Sequence, residues 1–237
     1  KEAAQSMFNI GILELEDKAK VESLYWEISQ AVVRDFGDRT MVPEEIRQLD
    51  ENLSDQYLCN FSVFQSLIDH WALKQLFPIM PLHALDRAPD REARLVDITC
   101  DSDGQVDHFI DPEAQRDTLP LHLPETVGGS PYHLGFFLMG AYQDIMGDMH
   151  NLFGRVNEVH VFLDPDEETG YYIEEVIGGT SIASVLDMVQ YDEKALVRSV
   201  KKQIDQAIRN DQLKPSEGMR LLAEYTRGLQ DQTYLSF

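Results

Sequence analysis

The spacing of apolar residues predicts helices at both ends of the chain. Residues 1–39 read as helix ending at Gly37, because apolar side chains recur every three or four positions, the period of one helix face. These positions are Phe8, Ile12, Leu15, Ala19, Leu24, Ile28 and Val32. The same periodicity predicts helices over 192–210 and 216–229, the latter capped by Ser216, after a shorter helix over 182–189.

Short apolar and aromatic segments separated by glycine, proline and aspartate fill the middle of the chain. They predict strands near 56–64, 94–99, 106–110, 134–139, 159–163 and 171–176, with a helix over 66–76. A long irregular loop covers 111–132. The fold class is therefore α+β, an antiparallel β sandwich or barrel flanked by N-terminal and C-terminal helices. The expected divisions are a helical segment 1–54, a β domain 55–180 and a helical tail 181–237.

Charge and cysteine content narrow the possible partners. With 20 Lys and Arg against 42 Asp and Glu, the net charge is −22, which disfavours nucleic acid and anionic membranes. The excess suits a cationic substrate or partner, or simply an acidic surface that aids solubility.

Cys59 and Cys100 have no CxxC or zinc-type spacing. No signal peptide or apolar run of membrane-spanning length is present, so cytoplasmic residence is expected unless targeting precedes residue 1 in a longer protein.

The stretch from Arg94 to Gly104 carries the most chemistry. An apolar strand ends there in Cys100, Asp101 and Asp103, and strand ends present reactive groups on a rigid support. A calcium loop with Gly104 at its sixth position would place Ile110 where the closing glutamate is required, which disfavours that interpretation. A plain turn with a core thiol remains open, as does a catalytic thiol beside carboxylates that hold a cationic substrate.

The remaining candidate groups are expected to have structural roles. Cys59, within an apolar segment, is expected to be a buried thiol. His150 has no partner at metal-ligand or catalytic spacing and is interpreted as structural. The run Gly178-Gly179-Thr180-Ser181 lacks the lysine of a phosphate-binding loop, so we expect a capped turn before the following helix.

Two motifs together resemble a known family. Asp97-Ile98-Thr99-Cys100-Asp101-Ser102-Asp103-Gly104 is followed some forty residues later by Gly140-Ala141-Tyr142-Gln143 and then His150-Asn151-Leu152-Phe153-Gly154. In this order they resemble the biosynthetic arginine decarboxylases, pyridoxal-phosphate enzymes of the alanine racemase and ornithine decarboxylase fold group. The resemblance implies a C-terminal portion of such an enzyme, with the catalytic barrel and its Schiff-base lysine absent from this chain.

The resemblance also implies roles for particular residues. Cys100 would donate the proton that replaces carbon dioxide, Asp101 would bind the substrate guanidinium, and Tyr142 would hydrogen-bond the phosphate of pyridoxal phosphate. Asp103 would either help bind substrate or only shape the turn. Family likeness adds a homodimer with a composite active site, L-arginine as substrate, agmatine for polyamine synthesis as product, and Mg²⁺ with no assignable ligands. The alternative function is a non-catalytic assembly or regulatory module of the same fold.

Overall fold

The computed structural model describes residues 1–36, 41–111, 115–127, 131–140 and 142–234. The helices are α1 (Glu2–Asn9), α2 (Leu15–Phe36), α3 (Glu44–Asn52), α4 (Val63–Ser66), α5 (Ile68–Leu73), α6 (Tyr142–Met146), α7 (Ile182–Met188), α8 (Glu193–Arg209) and α9 (Pro215–Gly228). The strands are β1 (Asp55–Leu58), β2 (Ile79–Pro81), β3 (Arg91–Val96), β4 (Gln105–Val106), β5 (Phe109–Ile110), β6 (Gln115–Arg116), β7 (Leu119–Leu121), β8 (Leu134–Phe136), β9 (Glu158–Leu163) and β10 (Tyr171–Ile177). The α+β prediction, with helices flanking the strands, is confirmed.

Strand β3 is the centre of the main sheet. It pairs antiparallel with β4 and β7 and parallel with β1. The remaining pairs, β2–β8, β5–β6 and β9–β10, are antiparallel. Parallel pairing of β1 with β3 is possible because α4, α5 and β2 lie between them in the chain and supply the long crossover that it needs. Of the two predicted architectures, the barrel is not formed, since the described strands close no ring.

The hydrophobic core lies around the inner face of β3. Ala93 and Leu95 alternate with more exposed residues along this strand and are fully buried, as expected for one face of a half-buried strand. The buried cluster around them consists of Phe61, Val63, Leu67, Phe77, Val106, Phe109, Leu119, Leu121 and Tyr234. Because Tyr234 belongs to this cluster, the end of the helical tail packs into the β core. The predicted domain boundaries at 54/55 and 180/181 stay predictions.

Two helix predictions differ from the structure. The helix expected over 1–39 is interrupted between α1 and α2, where Gly11 takes a φ of 73°, in the left-handed region that glycine adopts freely. Its expected end at Gly37 lies outside the described residues. Helix α9 begins at Pro215, and Ser216 is not its cap. Instead, the Lys214 backbone N–H donates to the Glu217 carboxylate at 3.0 Å.

The segment predicted as a strand over 56–64 is strand only in its first three residues. Strand β1 ends at Leu58, and Ser62 caps α4 by accepting a hydrogen bond from the Gln65 backbone N–H at 3.2 Å. The helix predicted over 66–76 corresponds mainly to α5, which ends at Leu73, where the cap residue Lys74 takes a φ of 60°. Ser181 caps α7 as predicted, accepting from the Ser184 N–H at 3.2 Å. Local apolar content therefore located these segments but did not fix their conformation.

The β9–β10 hairpin carries an unusually exposed set of apolar side chains. Leu163 is 88% exposed and Val176 is 65% exposed, and every residue of β10 is exposed. A two-stranded hairpin in water is marginally stable on its own, and large exposed apolar patches mark interaction surfaces. Exposed apolar residues on α2, including Trp26 and Ile28, add a second such surface. No helix in the described ranges is both long and apolar enough to cross a bilayer.

Candidate active-site loop

The loop that follows β3 is built around a buried carboxylate, Asp97. Its side chain is only 6% exposed. Oδ2 accepts a hydrogen bond from the Val63 backbone N–H, and Oδ1 accepts from both the backbone N–H and the hydroxyl of Thr99, each at 2.8 Å. A buried carboxylate is stable only when hydrogen bonds replace its hydration. Asp97 therefore fixes the start of the loop to the first turn of α4.

Gly104 closes the same loop. The Asp97 N–H donates to the Gly104 carbonyl at 2.8 Å, and the Gly104 N–H donates to the Asp101 carbonyl at 3.1 Å. A Cβ at position 104 would collide with the Asp97 carboxylate, so the glycine is required for close approach. The loop is therefore a hydrogen-bonded turn closed at its base by Asp97 and Gly104.

Cys100 projects from the outer part of this loop and is exposed, so it is not a core thiol. Its Sγ lies 3.7 Å from Nε2 of His150 and 3.7 Å from Oδ1 of Asn151. Sequence spacing offered His150 no partner, yet the fold brings it to the thiol from fifty residues away. The structural interpretation of His150 is therefore incomplete, because this side chain also contacts the proposed proton donor.

The two other carboxylates of the loop differ in their surroundings. Asp101 is half-buried, and its N–H donates to the Thr99 hydroxyl at 3.2 Å. Its Oδ1 accepts a hydrogen bond from the Asp103 backbone N–H at 2.9 Å. Asp103 is exposed. The backbone of Asp103 thus orients the Asp101 carboxylate.

The segment that carries His150 is anchored by the end of the chain. Asn151 and Leu152 take φ angles of 56° and 61°, in the left-handed region that is unfavourable for non-glycine residues. The Gly154 N–H donates to the Thr233 hydroxyl at 2.9 Å, and the Phe153 ring stacks on Tyr234 with centroids 5.2 Å apart. These contacts hold the strained backbone in place.

Tyr142 begins the short helix α6, which the sequence did not predict. Its side chain is 70% exposed. The next residue, Gln143, is buried and its side chain hydrogen-bonds Asp69 on α5. Gly147, which follows α6 in the chain, lies so close to α4 in space that a Cβ at this position would collide with the Gln65 carbonyl. Tyr142 is therefore presented to solvent by a firmly packed helix, but no described contact joins it to Cys100.

The second cysteine is chemically different from the first. Cys59 packs against the buried cluster. Burial, followed by the nearby Asp97 carboxylate, raises the pKa of the Cys59 thiol to about 12. A thiol is unreactive while protonated, so Cys59 is inert at neutral pH, as the sequence predicted.

Comparison with known proteins relates this chain to the arginine decarboxylases. Residues 1–50 match the arginine decarboxylase helical bundle domain, and residues 182–235 match the arginine decarboxylase C-terminal helical extension. The biosynthetic arginine decarboxylase of Phocaeicola vulgatus is 45% identical over 99% of this chain and 36% of its own length. The enzyme of Gloeobacter violaceus is 45% identical over 100% and 37%.

A solved structure agrees with these relatives. The crystal structure of the biosynthetic arginine decarboxylase from Campylobacter jejuni superimposes with a TM-score of 0.68 at 32% identity, over 99% of this chain and 36% of that one. The chain belongs to the biosynthetic arginine decarboxylase family. It spans about a third of the length of the curated relatives it matches. The Cys100 loop lies between the two matched helical regions.

The family resemblance implies pyridoxal phosphate as cofactor, and the described residues are compatible with one contact to its phosphate. The exposed Tyr142 hydroxyl is free of hydrogen bonds to any described residue, and a side chain at Gly140 would meet nothing within 4 Å. A phosphate oxygen could therefore approach this turn. No lysine in the described ranges is buried, so they supply no candidate for a buried lysine that would bind the cofactor's aldehyde.

The described residues do not fit a magnesium site. Nowhere in the described ranges do three or more His, Cys, Asp or Glu side chains come together in a group that could hold a metal ion. Mg²⁺ prefers several oxygen ligands in near-octahedral geometry. Magnesium therefore stays a prediction without assigned ligands.

Proposed function

We propose that this chain is the C-terminal portion of a longer arginine decarboxylase that converts L-arginine to agmatine and carbon dioxide for putrescine and spermidine synthesis. The observation that carries the proposal is the exposed thiol of Cys100, held on a rigid loop beside Asp101. The family and the 36% coverage of the relatives support it. The unpaired cysteines fit a reducing cytoplasm, where we expect the enzyme to act.

Cys100 is the proposed proton donor. Pyridoxal phosphate supplies the electron sink that decarboxylation of an amino acid needs. The protein must then deliver one proton to the substrate Cα from one side, and an exposed thiol on a fixed loop can do so. The loop is fixed because Asp97 and Gly104 bond across its base at 2.8 Å.

Asp101 is the proposed partner of the substrate guanidinium. A guanidinium and a carboxylate pair in one plane through two charge-assisted hydrogen bonds. The Asp103 N–H already orients this carboxylate, which supports a turn-shaping role for Asp103, while its exposed side chain remains a candidate second contact. The net charge of −22 favours approach of a cationic amino acid and disfavours nucleic acid.

A composite site in a homodimer is the proposed assembly. Cys100 is exposed in this chain, so the rest of the active site has to approach it from outside. The exposed apolar residues of the β9–β10 hairpin and α2 offer surfaces on which the remainder of the enzyme and a second subunit could pack. A non-catalytic module would use the same surfaces but would not need Cys100, Asp101 and His150 together.

We expect the isolated chain not to decarboxylate arginine. It lacks a buried lysine in its described ranges and covers about a third of its relatives. Purified chain is mixed with pyridoxal phosphate and arginine, and carbon dioxide release is measured against cofactor alone. The longer enzyme is the positive control. Release above the cofactor background would contradict the prediction, and an inactive longer enzyme would favour the non-catalytic module.

Replacing Asp101 with asparagine in the complete enzyme is expected to weaken use of arginine. The change keeps the side chain's shape and removes the charge that faces the guanidinium. The loss in kcat/KM should correspond to about 1.5–3 kcal/mol, the usual value of a hydrogen bond to a charged group. Asp103→Asn is the matched control and should have a smaller effect. Equal effects of the two substitutions would contradict the assignment of Asp101 as the main contact.

A further inference from the structure

Two polar side chains converge on the sulfur of Cys100. His150 Nε2 and Asn151 Oδ1 each lie 3.7 Å from Sγ. The thiol S–H can donate to the Asn151 amide oxygen, which leaves the sulfur free to exchange a proton with the imidazole. A packing thiol needs neither contact. The arrangement is therefore a thiol–imidazole pair with an orienting amide.

The imidazole of this pair is fixed by separate parts of the fold. The His150 ring lies against Phe64 of α4, with centroids 5.5 Å apart, and Phe64 stacks on Trp71 at 4.5 Å. The left-handed backbone of Asn151 and Leu152 directs successive side chains of this turn. Backbone strain of this kind persists only where surrounding contacts enforce it, and it concentrates at functional sites.

We propose that Cys100 and His150 exchange a proton and that the protonated imidazole of His150 returns one to the sulfur after each turnover. This inference rests on the proposed function. As the thiol acts, its S–H bond breaks, the proton passes to the substrate Cα, and the electron pair remains on sulfur as thiolate. The protonated imidazole then gives its N–H proton to the sulfur, and the neutral imidazole takes a proton from water. One proton is consumed for each carbon dioxide released, so the cycle balances.

The charges around the pair are consistent with this exchange. Helix α4 presents the uncharged ring of Phe64 to His150. The loop of Cys100 contributes the carboxylates of Asp97, Asp101 and Asp103, and Asp148 lies two residues before His150. No carboxylate in the described ranges forms an ion pair with His150. His150 acts through Cys100 and is a positioning residue.

The test measures how fast iodoacetamide alkylates Cys100 in this chain as a function of pH. Proton exchange within the pair makes the native rate rise in two steps, because two coupled groups lose their two protons at separate pH values. His150→Gln should leave one step and slow alkylation at neutral pH about tenfold, the effect of one lost neighbouring charge. His160→Gln, on β9 beside Glu175, is the matched control and should behave as the native chain. Cys59, with its pKa raised to about 12, should stay unmodified.

Each outcome decides the proposal. A one-step profile in the native chain overturns it without reference to any variant, and so does a folded His150→Gln chain that reacts at the native rate. In the complete enzyme, His150→Gln should lower kcat with KM nearly unchanged, and added imidazole should restore part of it. A two-step profile together with a complete enzyme that fails to decarboxylate arginine would sustain the pair and refute the proposed function.

Discussion

Replacing Cys100 with alanine in the complete enzyme should lower turnover about 10²–10⁴-fold, the usual contribution of a positioned acid. Loss of carbon dioxide does not need the thiol, but the proton that follows does. Water must then supply the proton, more slowly and with less selectivity for the substrate Cα. A share of turnovers should therefore end in transfer of the amino group instead of agmatine. The apparent affinity for arginine should change little, because a thiol contributes little to guanidinium binding.

The measurements for this variant are turnover, product identity and KM. Cys59→Ala is the matched control, because Cys59 is a protonated thiol packed against the core. It should keep native turnover and agmatine as the product. If Cys100→Ala makes agmatine at the native rate, Cys100 is a surface residue and the proposed chemistry is wrong.

Replacing Asp97 with alanine should lower the free energy of unfolding by about 3 kcal/mol or more, since several hydrogen bonds to one charged group are lost together. The substitution leaves the Val63 and Thr99 backbone N–H groups without their partner at 2.8 Å. Unfolding of the chain in urea, followed by circular dichroism, gives the value. Asp103→Ala is the control, because an exposed substitution should change stability by about 0.5 kcal/mol or less.

The same substitution tests how the loop supports the site. Loss of Asp97 frees the base of the loop from α4, so Cys100 should no longer be held beside His150. Alkylation of Cys100 in a still folded Asp97→Ala chain should then resemble that of His150→Gln. Native stability in Asp97→Ala would show that the buried carboxylate does not organise the loop.

Several features of this protein follow from the sequence alone. The three- to four-residue apolar period identified α2, α8 and α9, because a helix that packs along one face needs that period wherever it sits. Short apolar segments between turn residues identified the β-containing middle and the α+β class. The Cys100-Asp101 pair stood out because two reactive side chains follow directly on an apolar strand.

Only the tertiary structure decided the rest. Parallel pairing of β1 with β3, and the change from strand to helix at Ser62, depend on partners supplied by distant chain, including the Asp97 carboxylate 34 residues beyond Val63. Asp97 gave a signal that was missed, a carboxylate following an apolar strand, but its partners are invisible in sequence. His150 reaches Cys100 only because Phe64, Thr233 and Tyr234 hold its segment there. Periodicity records which face of an element is buried, whereas such contacts depend on where separate elements meet in space.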